Sequence, residues 1–440
     1  MTSEFPPFFG GGISTYMHQT ATMLSRNGFL VTVFVLDRNI PSDEGPLKEE
    51  LFEELFRVVR FNPENFGADV AYLGGNARNS YFFYEVIKSY IEREGLPFVL
   101  ESQDYNAICY YILQKKLCLD PLLESLKIVV SLHCPHFVAA SYNEVPLYEL
   151  PTYWTGHLER FVIGAADVIT SPSEYLVSEL AKLKVRGVER AKIVRNPFEV
   201  CTYKLEETND EKEGGEIFFL GKMQVSKGIL DLLSAFRKLW DDGSKVALHI
   251  IGADAEHVTL GMSVRQIIES QYKAYLAKGM IVFEGKLSPK KVLKKLRGAK
   301  GLVVPSHFEA FPYVVVEAMA LGVPVVVSDS GGHKELVQEF KSGLIFKSGS
   351  VDDLYEKLKL FFSLPTPDLI KYGENAVNRV QSECSFDTVC SAKIKAIKSS
   401  SNDDAEFPFV TDLSHRIEKF EGCEDYKREV LSVIIPFLNG

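Results

Sequence analysis

Short, almost unbroken apolar runs recur along this chain, separated by longer segments of helical period. Phe218-Phe219-Leu220, Gly301-Leu302-Val303-Val304 and Pro324-Val325-Val326-Val327 are examples. A strand with one wet face alternates apolar and polar residues. A run without that alternation must be covered on both faces, as strands are in parallel sheets sandwiched by helices. Parallel neighbours also need a crossover between them, so the pattern calls for βα units rather than hairpins. The chain therefore reads as α/β.

Two series of such units are present, in keeping with 440 residues and about 150 residues per domain. In the first, a helix from about Ser14 to Arg26 precedes a strand over Phe29–Leu36. Further strands are expected at Phe98–Glu101, Lys127–Leu132, Val168–Thr170 and Ile193–Arg195. Ser173 is placed to cap the helix that runs through Ala181. Lys204–Gly215 is charged, lacks apolar periodicity and reads as a linker. The second series has strands at Glu216–Leu220, Ala247–Ile251, Ile281–Glu284, Gly301–Val304 and Pro324–Ser328. Its helices fall near Lys227–Trp240, Val264–Ala277, Pro289–Arg297, Tyr313–Leu321 and Val351–Phe362, and the stretch from Ile370 to Ile397 is helical again.

Both ends depart from this pattern. The chain opens on a loop, Ser3-Glu4-Phe5-Pro6-Pro7, where a doubly wound lobe normally begins with a buried strand. It closes on Leu431–Gly440, a buried-strand pattern and a turn with nothing after it to pack against. A truncated chain is the expectation, with the first strand clipped and a further domain just begun. The competing reading docks the last strand onto an existing sheet.

Composition removes other classes. The chain is 46% hydrophobic and 25% charged, as in an ordinary globular protein. No run approaches the ~20 apolar residues that cross a bilayer, and the N-terminus lacks the pattern of a secretory signal. A net charge of −10 argues against nucleic acid as a partner. The seven cysteines include no C-x-x-C pair and read as reduced thiols of a cytoplasmic protein. No histidine pattern suggests a metal site, and the acidic doublets Asp241-Asp242, Asp352-Asp353 and Asp403-Asp404 read as solvated surface. An anion bound here must be held locally.

Three loops at strand ends could do so. After Leu220, Gly221-Lys222 and Lys227-Gly228 lead into a helix, whose unpaired N–H groups suit a phosphate. Lys222 and Lys227 lie five residues apart across that loop. After Val304 come Glu309, then Ala310-Phe311-Pro312, then Glu317 in the first turns of an otherwise apolar helix. A carboxylate on an apolar face needs hydrogen-bond donors, and the hydroxyls of a ribose diol would supply them. Ser330-Gly331-Gly332 is a further turn after the next strand. In the first lobe, Gly10-Gly11-Gly12 precedes a helix and admits close approach of backbone to phosphate, though without the G-x-G-x-x-G spacing. His133 ends the strand Ile128–Leu132. Taken singly, the lysines also read as solvated surface and His133 as a core residue; for Glu309 and Glu317 the strand-loop-helix setting tells against a surface pair.

These residues together resemble the retaining glycosyltransferases of family four, over residues 3 to about 398. The likeness rests on Phe5-Pro6-Pro7 with Gly11-Gly12-Ile13, on His133, on Ser171-Pro172-Ser173 and on Asn196-Pro197, where the family usually has Asn-Gly. It continues through Gly221-Lys222, Lys227-Gly228, the spaced Glu309 and Glu317 with Glu317-Ala318-Met319-Ala320, Gly331-Gly332 and Glu335. The resemblance implies the GT-B fold, two Rossmann-like lobes with the active site between them. Residues 1–200 would form the acceptor lobe and 201–385 the donor lobe. Residues 386–398 would be a helix packing back on the first lobe, and 399–440 a linker with the start of a further domain.

By the same likeness, Lys222 and Lys227 would hold the diphosphate of a nucleotide sugar, Glu317 its ribose and Glu309 its sugar hydroxyls. Gly11, Gly12 and Gly221, and the backbone of Ala310, Phe311 and Pro312, would meet the donor. His133 would contact the transferred sugar. Transfer would retain anomeric configuration without a metal or other cofactor, the leaving phosphate taking the acceptor's proton. The acceptor would be a glycan or lipid-linked saccharide, which allows peripheral membrane contact; the basic stretches Lys290–Arg297 and Lys182–Arg186 could serve it, though both read first as solvated faces. Two residues depart from the family pattern. Lys222 stands where arginine is common, so a bidentate clamp becomes a point charge, and Pro312 stands where glycine is usual, removing an N–H. Leu431–Asn439 resembles the opening strand of family-two glycosyltransferases, which implies a second fused transferase. An inactive sugar-binding GT-B module, a sugar-nucleotide epimerase and a phosphorylase are the alternatives.

Overall fold

The computed structural model describes residues 1–6, 11–41, 45–67, 70–199 and 215–399. Residues 204–214 of the expected linker and the C-terminal strand lie outside the described residues. The first lobe contains α1 (Gly12–Arg26), β1 (Thr32–Leu36), β2 (Leu47–Phe52), β3 (Phe56–Phe61), α2 (Gly75–Glu94) and β4 (Leu100–Gln103). It continues with α3 (Tyr110–Leu117), β5 (Ile128–Ser131), α4 (His136–Tyr142), α5 (Thr152–Ala165), β6 (Val168–Ser171), α6 (Glu174–Lys182) and β7 (Lys192–Ile193).

The strands of this lobe form two part-sheets, β2-β3-β1 and β4-β5-β6-β7. Thr2 stands beside β1: it makes a parallel bridge to Val35, taking up Phe34 O and Leu36 N. On the other side the Met1 ammonium donates to Glu101 O at 2.7 Å, and Thr2 Oγ1 meets Gln103 Oε1 at 2.9 Å. The first four residues thus join the two part-sheets.

The second lobe opens with β8 (Ile217–Leu220), α7 (Ile229–Asp241), β9 (Leu248–Ile251), the hairpin β10 (Glu256–His257) and β11 (Met262–Ser263), α8 (Val264–Gln271) and α9 (Lys273–Ala277). Next come β12 (Ile281–Gly285), α10 (Pro289–Arg297), β13 (Gly301–Val304), α11 (Tyr313–Ala320), β14 (Val325–Ser328), α12 (His333–Leu336) and β15 (Gly343–Phe346). Helices α13 (Val351–Ser363), α14 (Thr366–Cys384) and α15 (Phe386–Lys398) follow. The sheet is wholly parallel, in the order β12-β9-β8-β13-β14-β15. Numbered within the lobe this is 3-2-1-4-5-6, the order of dinucleotide-binding folds. All four residues of β13 and of β14 are buried, as their unbroken apolar runs require.

Several expectations need correction. The first strand starts at Thr32, not Phe29, because Phe29 and Leu30 are exposed. Strands β2, β3 and β15 were not expected. Leu47–Phe52 contains Lys48, Glu49 and Glu50, which favour helix in isolation, yet it pairs antiparallel with β3 at the sheet edge. The helix expected over Val264–Ala277 breaks at Tyr272 into α8 and α9, and that over Ile370–Ile397 breaks at Ser385 into α14 and α15. Residues of α15 pack on Met23 and Val194 of the first lobe.

The switch point of the second sheet lies between β8 and β13, so the loops after these strands meet there. Gly228 makes the meeting close. It is left-handed, at φ 68°, and a Cβ on it would stand 2.0 Å from Pro305 O. His307 N donates to Ser226 O at 2.8 Å across the same seam. Gly228→Ala should cost about 2 kcal/mol or more, from the unfavourable φ and the overlap with backbone together. A chemical-denaturation midpoint equal to wild type would contradict this packing.

Candidate functional site

The loops at the carboxyl ends of both sheets converge on a cavity of about 190 Å³ between the lobes. The first lobe contributes Gly12, Tyr105, His133 and Asn196 to its walls, and the second contributes Glu309, Phe311 and Tyr313.

Lys227 ends the loop after β8 and Glu309 sits in the loop after β13. Their side chains form an ion pair, Nζ to Oε2, across 82 residues of sequence. The pair is partly open, with 29% of the lysine side chain and 19% of the glutamate side chain exposed. Lys222, on the same loop as Lys227, is exposed and has no ion pair among the described residues. Gly221 N donates to Ile251 O at 3.0 Å, which ties the start of that loop to β9.

Glu317 lies on α11, whose other residues are mostly buried. Its carboxylate has no hydrogen-bond partner among the described residues, and burial pushes its pKa up to about 7. Ala310 and Phe311 are buried; Ala310 O accepts from Ser173 Oγ at 2.8 Å, and Pro312 caps the N-terminus of α11. Gly331 has φ 76°, and a Cβ there would fall 2.3 Å from Glu309 O, which accepts from Gly332 N. The glycine turn after β14 therefore braces the Glu309 loop from behind, rather than facing the cavity itself.

On the opposite wall, His133 follows β5. Its backbone N–H donates to Asp104 Oδ1 at 2.9 Å and its ring stands edge-on to Tyr16, centroids 4.4 Å apart. Burial lowers its pKa to about 4, so the ring is neutral at physiological pH. Nε2 is buried without a partner among the described residues. Gly11 precedes α1 and Gly12 begins it; a Cβ on Gly12 would lie 3.7 Å from the ring of Tyr313. That start of the helix therefore touches the second lobe. Asp37, just after β1, accepts from Asn39 N and lies 3.7 Å from Arg60.

Several further groups shape the walls of the site. Asp104, fully buried, accepts from the N–H of Tyr105 and His133, and burial raises its pKa to about 7. Glu159, also fully buried, accepts from the N–H of Asn106, His136 and Phe137, and burial raises it to about 8. Between them they hold two loops of the first-lobe wall. Glu335 caps α6 from the other lobe, accepting from Tyr175 N at 2.8 Å and from Arg195 Nη1 at 2.6 Å. Phe308, 6% exposed, lies against Tyr142 and Tyr175 of the first lobe. Glu335 belongs to the residues that carry the family resemblance, whereas no motif marks Glu159 or Phe308; an acid next to an apolar helix run, as at Glu159 before Arg160-Phe161-Val162, was the available signal. Among the described residues no group of three or more His, Cys, Asp or Glu is arranged to hold a metal ion, and no helix is long and apolar enough to cross a membrane.

Known proteins bear on this site. A family model described as Glycosyltransferase Family 4 matches residues 10–200, and one described as Glycosyl transferases group 1 matches residues 204–379. The glycogen synthase of Mycobacterium tuberculosis is 22% identical over 355 residues, which are 78% of this chain and 80% of that protein. The sulfoquinovosyl transferase SQD2 of Arabidopsis thaliana is 28% identical over 247 residues, 50% of this chain and 44% of its own. Sucrose-phosphate synthase from Thermosynechococcus elongatus superposes with a TM-score of 0.69 at 19% identity, covering 88% of this chain and 93% of that one. HepE of Anabaena, solved with UDP and glucose, gives 0.65 at 14% identity, covering 90% and 98%. With both lobes matched by adjoining glycosyltransferase models and by two-lobed solved structures, this chain is a GT-B glycosyltransferase of the family-four-like type.

Proposed function

We propose that the protein moves a hexose from a nucleoside-diphosphate sugar to a glycan or lipid-linked acceptor, with retention of anomeric configuration. The observation that carries this reading is the meeting of Lys227 with Glu309 at the switch point of the second sheet. A cation and an acid side by side suit the adjoining diphosphate and sugar of one donor.

In this reading Lys227 and Lys222 bind the diphosphate and take up the charge that develops as the bond from C1 to the phosphate oxygen breaks. Each preorganised donor of that kind is worth about 3 kcal/mol of barrier. Glu309 accepts from the sugar hydroxyls. The acceptor oxygen bonds to C1 on the face the diphosphate leaves, and its proton passes to the departing phosphate oxygen, so no metal is required. His133, neutral and with Nε2 unengaged, contacts the transferred sugar. Gly11, Gly12, Gly221 and the Ala310–Pro312 backbone complete the donor contacts. HepE, bound to UDP and glucose, lends support to a nucleotide sugar. Lys290, Lys291 and Lys294, exposed on α10, are the face offered to a membrane-borne acceptor. The cytoplasm is the compartment that supplies such donors.

Turnover on a panel of UDP-, GDP- and ADP-sugars, with the anomer of the product read by NMR, tests the assignment. Lys227→Ala and Glu309→Ala should each lower kcat by about 100-fold or more while leaving the fold intact. Near-normal rates in either would remove that residue from the mechanism, and binding without turnover in the wild type would favour a sugar-binding module.

Glu317 gives a prediction with a sign. Its folded pKa of about 7 lies above the ordinary 4.3 or so, so the folded state binds the proton more tightly than the unfolded one. Stability is then lost as pH rises from roughly 4 to about 7. Glu317→Gln should equal wild type in thermal stability near pH 4 and exceed it at pH 8. A ribose diol donates to the ionised carboxylate, so the donor KM of the wild type should fall as pH rises through 7. The variant should bind the donor more weakly and without that slope; an unchanged slope would exclude the ribose contact.

A further inference from the structure

Lys393 of the crossover helix α15 is 2% exposed, a burial that an ammonium group tolerates only when paired and hydrogen-bonded. Nζ donates to Glu101 Oε1 at 2.8 Å and to Tyr16 Oη at 2.8 Å. The Tyr16 hydroxyl in turn donates to Glu101 Oε1 at 2.5 Å, and Ser131 Oγ donates to the same oxygen at 2.6 Å. Burial alone would raise the Glu101 carboxyl, but the Lys393 ammonium and these donors hold it at about 2. The cluster joins α15, β4, α1 and β5. Its far side is His133: Tyr16 presents its ring edge-on at 4.4 Å and 68°, and Ser131, the last residue of β5, is two residues before His133.

A buried ion pair is a weak source of stability, since apolar residues of similar volume often replace one at no loss. What this one supplies is direction. With its hydroxyl held as donor to Glu101 and acceptor from Lys393, the Tyr16 ring has one orientation, and that orientation bounds the imidazole. We propose that Lys393, Glu101 and Tyr16 are positioning residues that fix the His133 ring in the cleft, so that the crossover helix sets the geometry at the sugar site from behind the first-lobe sheet. The kinetic side of this proposal rests on the reading of His133 as a sugar contact.

The test compares Tyr16→Phe, Lys393→Met, the double Lys393→Met/Glu101→Met and His133→Asn in the full chain. Four quantities are read: kcat, donor KM, thermal midpoint and the His133 ring-proton resonances by NMR. The donor is whichever of the UDP-, GDP- and ADP-sugars turns over fastest. Tyr16→Phe, which keeps the ring and loses the hydroxyl, should shift the His133 resonances and lower kcat about 10-fold or more, with KM within about 2-fold, as misplacement of a reacting group does. Lys393→Met should do the same and lose thermal stability. The double variant, with the charge pair replaced by apolar groups, should recover the midpoint but not kcat. Recovery of kcat together with the midpoint would mean the cluster is only structural, and unchanged His133 resonances in both Tyr16→Phe and Lys393→Met would overturn the proposal outright. His133→Asn separates the two ideas. Full kcat in that variant defeats the sugar contact and the kinetic claim with it, whereas a slow His133→Asn beside a fast Lys393→Met defeats the positioning alone.

Discussion

Two backbone segments pass within touching distance where the second sheet reverses its strand order, and the site depends on that approach. Gly228 and the carbonyl of Pro305 leave no room for a side chain between them. The loops after β8 and β13 are thereby pressed together, and Lys227 and Glu309 meet although neither loop is long. The sheet order alone would bring these loops to the same crevice. The missing Cβ turns proximity into contact.

The loop that carries Glu309 is also the seam between the lobes. Phe308 lies against Tyr142 and Tyr175, Ala310 O accepts from Ser173, and Gly331 and Gly332 support the loop from its own side. Glu335 reinforces the seam by capping a helix of the other lobe and pairing with Arg195. Of the residues expected to form the site, Glu309 and His133 share the cavity wall with Gly12 and Phe311. Lys227 joins them through Glu309, Glu317 points an unpartnered carboxylate from α11, and Lys222 stands exposed at the edge of the loop.

How much of this was legible in the sequence follows from the range of the interactions. Strands β13 and β14 announce themselves because burial on both faces leaves an almost unbroken apolar run, and Ser173 reads as a cap because capping is local. Leu47–Phe52 does not read as a strand, since its charges favour a helix and only pairing with β3 decides otherwise. The roles of Asp104 and Glu159 depend on backbone N–H groups that the chain folds around them. Lys393 and Glu101 are 292 residues apart, and nothing near either one in sequence foretells the pairing. The loops bearing Lys227, Glu309 and Glu317 were readable because their position at strand ends is itself local information.

Phe308 is one residue from Glu309, and its ring is lodged among aromatic groups of the opposite half. Drawing the halves apart pulls on that ring, and the pull reaches the neighbouring carboxylate through a single peptide unit. The contact that joins the halves and the acid–ammonium couple therefore occupy adjacent residues of one loop.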